Sequence, residues 1–268
     1  MQIRNKRFDI EKHTYICAIL NVTPDSFSDG GEAFGIADAV DKAKKLIAGG
    51  ADLLDIGGES TRPGFTEVPV SEEIKRVVPV IEQIRKFSDI PISVDTRKSE
   101  VAKAAIEFGA DIINDVSGLR FDDRMADVIA KSGAYCCLMH DGRYFEKKDA
   151  YIEGVLEDLG EIVRDAVSAG IVRDKIIIDP GVGFGKNAQE NLIVIRELKR
   201  FCDTGYPVLL GCSRKSVIGA VTGLGINERL EGTLATTAMA VMAGVGFVRV
   251  HDVKENVRFV GMMEALCR

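Results

Sequence analysis

The chain has 268 residues, of which 46% are hydrophobic and 28% charged, with a formal net charge of −6 and a pI near 5.3. That balance belongs to a packed globular protein and excludes a disordered or fibrous one, and the length suits a single α/β barrel. The acidic balance gives no general attraction to nucleic acid or to an anionic membrane, so neither is an expected partner, and an anionic substrate must be met by a local basic cluster.

The opening residues, MQIRNKRFDIEKHTY, lack the apolar run of a signal peptide, and no later stretch reaches the ~18 to 20 apolar residues that span a bilayer, which predicts a cytoplasmic location. Ile3, Arg4, Phe8 and Ile10 suggest a short β-hairpin that closes the bottom of a barrel. Eight short runs rich in Val and Ile follow: YICAIL from Tyr15, DLLDI from Asp52, PISVD from Pro91, DIIND from Asp111, YCCLM from Tyr135, KIIID from Lys175, PVLLG from Pro207 and GFVRV from Gly246. Between them lie segments of helical period such as ADAVDKAKKLIAGG, SEEIKRVVPVIEQIRKF and EVAKAAIEFG. Strands alternating with helices imply a parallel sheet, and eight strands close it into a (β/α)8 TIM barrel. Pro79 inside the second helix removes a backbone donor and is expected to kink it. No Pro-, Ser- or Gly-rich linker interrupts the chain, so residues 1–268 read as one domain. The six cysteines show no C-x-x-C spacing and read as reduced apolar residues.

A barrel of this kind collects its reactive groups at the carboxyl ends of its strands. After the eight runs come, in order, Asn21, Glu59 with Thr61 and Arg62, Asp95, Asn114 with Asp115, His140, Asp179, Ser213 with Arg214 and Lys215, and Arg249 with His251. Any one Asp, Asn, Ser or Thr in this set has a plain alternative as a helix cap or turn former: Asp95 is placed to cap a helix near Lys98, and Asp179 stands before Pro180 and Gly181. Lys215, Arg249 and His251 are harder to explain that way, because cations are disfavoured at helix starts. They point to an anion or an electron-rich ring in the barrel mouth. Two βα loops, 21–35 and 57–69, exceed the usual ~2 to 6 residues and hold isolated Phe27 and Phe65, the composition of lids. GVGFGK from Gly181 lacks the full P-loop pattern and carries no nucleotide-binding weight.

The blocks NVTPDSFSDGG from Asn21, DIGGESTRPG from Asp55, SVDT from Ser93, INDVSG from Ile113, LMH from Leu138, DPGVGFGK from Asp179, GCSRKS from Gly211 and RVHDV from Arg249 resemble the dihydropteroate synthase family, in the family's order and across almost the whole chain. The resemblance implies condensation of a dihydropterin-methyl diphosphate with 4-aminobenzoate to give dihydropteroate and diphosphate, by a dissociative route through a pterin-methyl cation. It implies that Thr61, Asp95, Asn114, Met139, Asp179, Phe184, Gly211, Lys215, Arg249 and His251 bind the pterin diphosphate. Phe27, Thr61, Arg62, Pro63 and Ser213 would frame an aminobenzoate pocket open to sulfonamides. Asp29, Lys215, Arg249 and His251 would act in catalysis, Asn21 would help hold Mg2+, and the assembly would be a homodimer.

The chemistry of the residues fits. A pterin presents an N–H beside an exocyclic amino group, and an ionised carboxylate accepts from both, which makes Asp179 the candidate clamp with Asp95 and Asn114 along the same edge. Lys215 would donate to the ring's carbonyl and N5 side, and the Arg249 guanidinium would lie against the ring face. Where relatives continue LMH with Met and a Gly-x-Pro turn, this chain has Asp141, Gly142, Arg143 and Tyr144, which leaves the course of the fifth loop open. Two competing readings are a pterin-dependent methyltransferase that supplies a corrinoid protein, disfavoured by the NVTPDSFSDGG and SRK blocks, and a homologue that binds ligand without turnover.

Overall fold

A computed structural model describes residues 1–23, 32–59 and 66–267, with nothing said of the side chains of residues 32–34. The hairpin predicted at the start is present: β1 (Gln2–Ile3) pairs antiparallel with β2 (Lys6–Arg7) through a two-residue turn in which Arg4 takes a φ of +55°.

Strands and helices then alternate as β3 (Tyr15–Asn21), α1 (Glu32–Ala48), β4 (Leu53–Gly57), α2 (Val70–Arg85), β5 (Ile92–Asp95), α3 (Ser99–Glu107), β6 (Ile112–Asp115), α4 (Met125–Ser132), β7 (Tyr135–Met139) and α5 (Tyr151–Ser168). They continue as β8 (Ile176–Asp179), α6 (Ala188–Arg196), α7 (Leu198–Cys202), β9 (Leu209–Leu210), α8 (Ser216–Thr222), α9 (Leu230–Ala243), β10 (Phe247–Val250) and α10 (Val253–Cys267). All eight predicted runs are parallel strands of one sheet, ordered β8-β7-β6-β5-β4-β3-β10-β9. A single bridge between Ile178 and Val208, with the Ile178 amide donating to Pro207 O at 2.9 Å, brings the two ends of that order together. Helix α2 runs unbroken from Val70 to Arg85 with Pro79 inside it.

Side chains alternate across a strand, and this period of two sorts the whole barrel. Leu54, Ile56, Ile113, Leu138, Ile178, Leu210, Val248 and Val250 join a buried cluster with residues of the surrounding helices. Cys17, Leu53, Ile112, Cys137, Ile177, Leu209 and Phe247 form a second cluster inside the barrel's amino-terminal end, and Ile3 and Phe8 of the hairpin segment complete it. The hairpin is thus the floor. Phe8 is 1% exposed, edge-on to Tyr15 with ring centroids 4.8 Å apart, and 5.4 Å from the ring of Phe247. Lys6 pairs with Asp52 at 2.5 Å, and the Tyr135 hydroxyl donates to Gln2 O at 2.6 Å, pinning the floor to the loops that enter the strands. Phe8→Ala should therefore cost about 3–5 kcal/mol of stability by denaturant unfolding, the range for an aromatic lost from a core. A loss below about 1 kcal/mol would show that the floor contributes little.

Two residues further along, the same inward parity places polar or charged side chains on β4, β5, β6, β8 and β10, Met139 on β7 and Gly211 just after β9. Leu53 is followed by Asp55, Ser93 by Asp95, Ile112 by Asn114, Cys137 by Met139, Ile177 by Asp179, Leu209 by Gly211 and Phe247 by Arg249. Of the six free cysteines, Cys17, Cys136, Cys137 and Cys212 are buried, Cys202 is half-buried and Cys267 exposed.

Candidate active site

The upper layer is a buried, charged mouth. Arg249 on β10 donates from Nε to Asp55 Oδ2 at 2.5 Å and from Nη2 to Asp95 Oδ2 at 2.8 Å. Asn114 Nδ2 donates to the same Asp55 oxygen at 3.3 Å. Asp55, Asp95 and Asn114 are all at most 6% exposed, and the other carboxylate oxygens, Asp55 Oδ1 and Asp95 Oδ1, have no hydrogen-bond partner among the described residues. A buried acceptor without a donor is expensive to leave unmade, so these oxygens suit a ligand rich in N–H groups. Asp95 does not cap the next helix: α3 begins at Ser99 with no side-chain cap.

Across the mouth, Asp179 uses Oδ1 to accept the Gly181 amide at 2.7 Å, so its turn role is real. Its Oδ2 faces Gly211, where a Cβ would lie 3.9 Å away from it and 3.6 Å from Lys215 Nζ. Gly211 therefore stands where an acidic and a basic group come close to one another. Lys215 donates to Val182 O, and its Nζ stands 4.8 Å from the centre of the Phe184 ring. Met139, next to Asp179 in the strand register, is fully buried. Ser213 Oγ lies 3.1 Å from the His251 amide and 3.0 Å from His251 Nδ1. Arg214, between Ser213 and Lys215, takes a φ of +58° and pairs with Asp252 through two nitrogens. Asn21 ends β3, half-buried, with its amide oxygen 3.6 Å from where a Cβ on Gly57 would be.

The structure thus brings Asp95, Asn114 and Arg249 together, and Asp179, Gly211, Lys215 and Phe184 together, at one end of the barrel, with Met139, Ser213, His251 and Asn21 at the same strand ends. Phe27, Asp29, Thr61, Arg62 and Pro63 lie outside the described residues. Asp115 and His140 take the plain roles. Asp115 accepts the amides of Ser117 and Leu119, both at 2.8 Å. His140 lies between Lys186 and Asp158 and stacks on Phe145.

The fifth loop, left open by its unusual sequence, closes as a turn: Asp141 is 1% exposed and accepts from the Arg143 amide at 3.0 Å and from its guanidinium. Lys186 ties it to the next loop, touching His140 Nδ1 at 2.9 Å and the carbonyls of His140, Gly181 and Phe184 at 2.9–3.2 Å. Gly181 permits this approach, since its φ is +71° and any Cβ there would collide with His140 O. Burial, then Lys186 itself, pushes His140 down to about 3, which keeps the imidazole neutral.

Two participants escaped the sequence reading. Asp55 was visible only as a charge inside the buried run LLDI, a placement that demands a partner. Lys186 sits in a glycine-rich string that carries no nucleotide-binding pattern and whose family block assigns the lysine no role.

Charge in the mouth is finely set. Burial works against the Arg249 guanidinium, but Asp55 and Asp95 outweigh it and hold it charged. Burial raises Asp179 against the pull of Lys215, and lowers Lys215 against the pull of Asp179. Asp95 is pushed up to about 7 by burial, with Arg249 opposing and Asp55 assisting. The protonated form has one acceptor fewer, so affinity for a ring presenting N–H donors should fall as pH drops through that value, approaching about tenfold per unit. Titrating pterin affinity through neutrality checks this, and a flat acid limb would contradict it.

Residues 17–251 match the family of pterin binding enzymes. A dihydropteroate synthase from Clostridium beijerinckii is 49% identical over 269 residues, covering 100% of both chains. A crystal structure of dihydropteroate synthase from Clostridium difficile in the presence of pteroic acid superposes with a TM-score of 0.94 at 47% identity, covering 98% of this chain and 100% of that one. The Xanthomonas albilineans enzyme with 4-aminobenzoic acid superposes with a TM-score of 0.90 at 43% identity, covering 95% and 93%. A barrel whose buried acids and bases meet at one rim, matched over its full length in sequence and in structure, belongs to the dihydropteroate synthase family of pterin binding enzymes.

Proposed function

We propose that the chain condenses (7,8-dihydropterin-6-yl)methyl diphosphate with 4-aminobenzoate, giving 7,8-dihydropteroate and diphosphate for folate biosynthesis. The observation that carries this reading is the mouth itself, where the buried Asp95 Oδ1 has no hydrogen-bond partner among the described residues, Asn114 and Arg249 meet on Asp55 beside Asp95, and Asp179 Oδ2 and Lys215 Nζ both lie within 4 Å of where a Cβ on Gly211 would be. The carboxylates accept the ring's N–H and amino donors, and Lys215 donates to its carbonyl and N5 side. Arg249 and His251, cationic or polar at the end of β10, draw the diphosphate and stabilise the negative charge that grows on it as the C–O bond breaks. The pterin-methyl cation left behind faces a cluster whose carboxylates outnumber its guanidinium, and Asp29 of the first lid adds to that field. The arylamine then attacks the methylene carbon, with Phe27, Thr61, Arg62, Pro63 and Ser213 framing its ring. A sulfonamide fits the same frame as an aminobenzoate mimic.

The donor set suits Mg2+ in one limited way. Among the described residues no group of three or more His, Cys, Asp or Glu is placed to hold a metal, whereas Asn21 offers a neutral oxygen at the rim. Mg2+ commonly keeps waters and phosphate oxygens and needs few protein ligands. When bound, the ion would neutralise diphosphate charge, with Asn21 as its protein ligand.

No helix among the described residues is long and apolar enough to cross a membrane, and a cytoplasmic location is part of the proposal. So is a homodimer. Helix α9 leaves Met239 and Met242 exposed, and α10, which packs against it, leaves Met262 and Leu266 exposed. Helices of that composition are normally covered, and a second copy of the chain is the occupant we assign.

The deciding experiment supplies the pterin diphosphate, Mg2+ and 4-aminobenzoate together and follows dihydropteroate and diphosphate. Equimolar release of both supports the reading. Pterin binding without arylamine condensation would favour the homologue that lacks turnover, and transfer of a methyl group to a corrinoid would favour the methyltransferase.

A further inference from the structure

We propose that Asp55 is a positioning residue for the pterin diphosphate, anchoring Arg249 and Asn114 from beneath so that Asp95 is left available to the ring; this rests on the function proposed above. Asp55 is 1% exposed and stands at the inward parity of β4, in register with Ser93, while Asp95 is in register with Gly57. It therefore lies one inward layer deeper than Asp95. Substrate at the rim meets Asp95 first, and Asp55 acts through its neighbours.

Its Oδ2 takes two donors, Arg249 Nε at 2.5 Å and Asn114 Nδ2 at 3.3 Å. These come from β10 and β6, on either side of β4 in the sheet order, so one oxygen fixes two candidate pterin residues against each other. The Nε and Nη2 nitrogens form one edge of the guanidinium fork. With that edge shared between Asp55 and Asp95, the Arg249 side chain, still 18% exposed, keeps Nη1 for the open side of the mouth. Gly57 stands above Asp55 at the same parity and contributes no side chain, and the position its Cβ would take is bordered by Asn21 Oδ1 at 3.6 Å and Asp95 Cβ at 3.7 Å. If pterin donors compete for Asp95, the Asp55 bond is the one that remains to hold Arg249 in place and charged. Without it, the guanidinium would have Asp95 as its remaining carboxylate partner and would occupy the acceptor that the ring needs.

The test is Asp55→Asn, which keeps the shape and removes the charge. In full-length enzyme the KM for the pterin diphosphate should rise about tenfold or more, while the KM for 4-aminobenzoate stays within about twofold. In an Arg249→Met background the further change from Asp55→Asn should be several-fold smaller than in the wild type, because of the two groups it positions only Asn114 remains. Unchanged kinetics, equal losses for both substrates, or strictly additive effects would overturn the proposal. Should Asp55→Asn not fold, 15N NMR of the wild-type protein serves instead. The Arg249 Nε–H should stay protected from exchange when pteroic acid binds, and loss of that protection would overturn the anchor. Failure of the wild type itself to form dihydropteroate would refute the proposed function and is read separately.

Discussion

Asp179→Ala is expected to abolish useful pterin binding. Asp179 is 5% exposed, one of its oxygens already holds the Gly181 amide, and the other lies beside Gly211 and Lys215. Truncation would leave two ring donors unpaired in a buried slot, a loss on the order of 1–3 kcal/mol or more, which is about 5-fold to more than 100-fold in affinity. It would also leave the buried Lys215 without the carboxylate that opposes its desolvation, so the variant's Lys215 should lose its proton more readily. Calorimetry with pteroic acid measures the first effect, and near-normal affinity would contradict the clamp.

Lys98→Met is expected to be strongly destabilising. Lys98 is 3% exposed and donates to Glu59 Oε2 at 2.7 Å, Val68 O at 2.6 Å and Glu73 Oε2 at 2.7 Å. Glu59 also accepts the Val68 amide at 2.7 Å, so this cluster joins the described ends of the segment between β4 and α2. Removing the ammonium leaves Glu73, 1% exposed, without its cation, while Glu59, 7% exposed, keeps Arg97 Nε at 3.3 Å and the Val68 amide. Breaking a buried ion pair in this way costs about 3–5 kcal/mol, because the unpaired charge remains in the interior. Adding Glu73→Gln should recover part of the loss by removing that charge. Denaturant unfolding of both variants settles it: a loss below about 1 kcal/mol for Lys98→Met would mean that the site is solvated or that the cluster relaxes.

The barrel was legible because its signal is local and repeated. Most strands are short apolar runs with a polar residue at or just past the end, and that rule located Asp95, Asn114, Asp179 and Arg249 at one rim. What escaped depended on contacts between distant residues. Lys98 meets Glu59 and Glu73 from 39 and 25 positions away, and no period in the sequence links them. Lys186 was hidden because its role lies in collecting carbonyls from two loops, which a glycine-rich string does not announce. Asp55 carried a usable signal, since a carboxylate in the middle of a strand covered on both faces must find a partner, but the identity of that partner required the barrel to close. The departure at Asp141 to Tyr144 proved harmless for the same reason: the loop is fixed by Asp141 turning back on Arg143 and by Lys186, whatever its neighbours. The residues expected to frame the aminobenzoate fall mostly within 24–31 and 60–65, outside the described chain.

The most direct measurement is a crystal structure of this protein with pteroic acid bound. The account predicts the pterin edge in contact with Asp95, Asn114 and Asp179, with Lys215 and Arg249 against the ring and the benzoate running outward past Ser213. A pterin bound elsewhere on the barrel, or one that leaves Asp95 and Asp179 without its N–H donors, would contradict it.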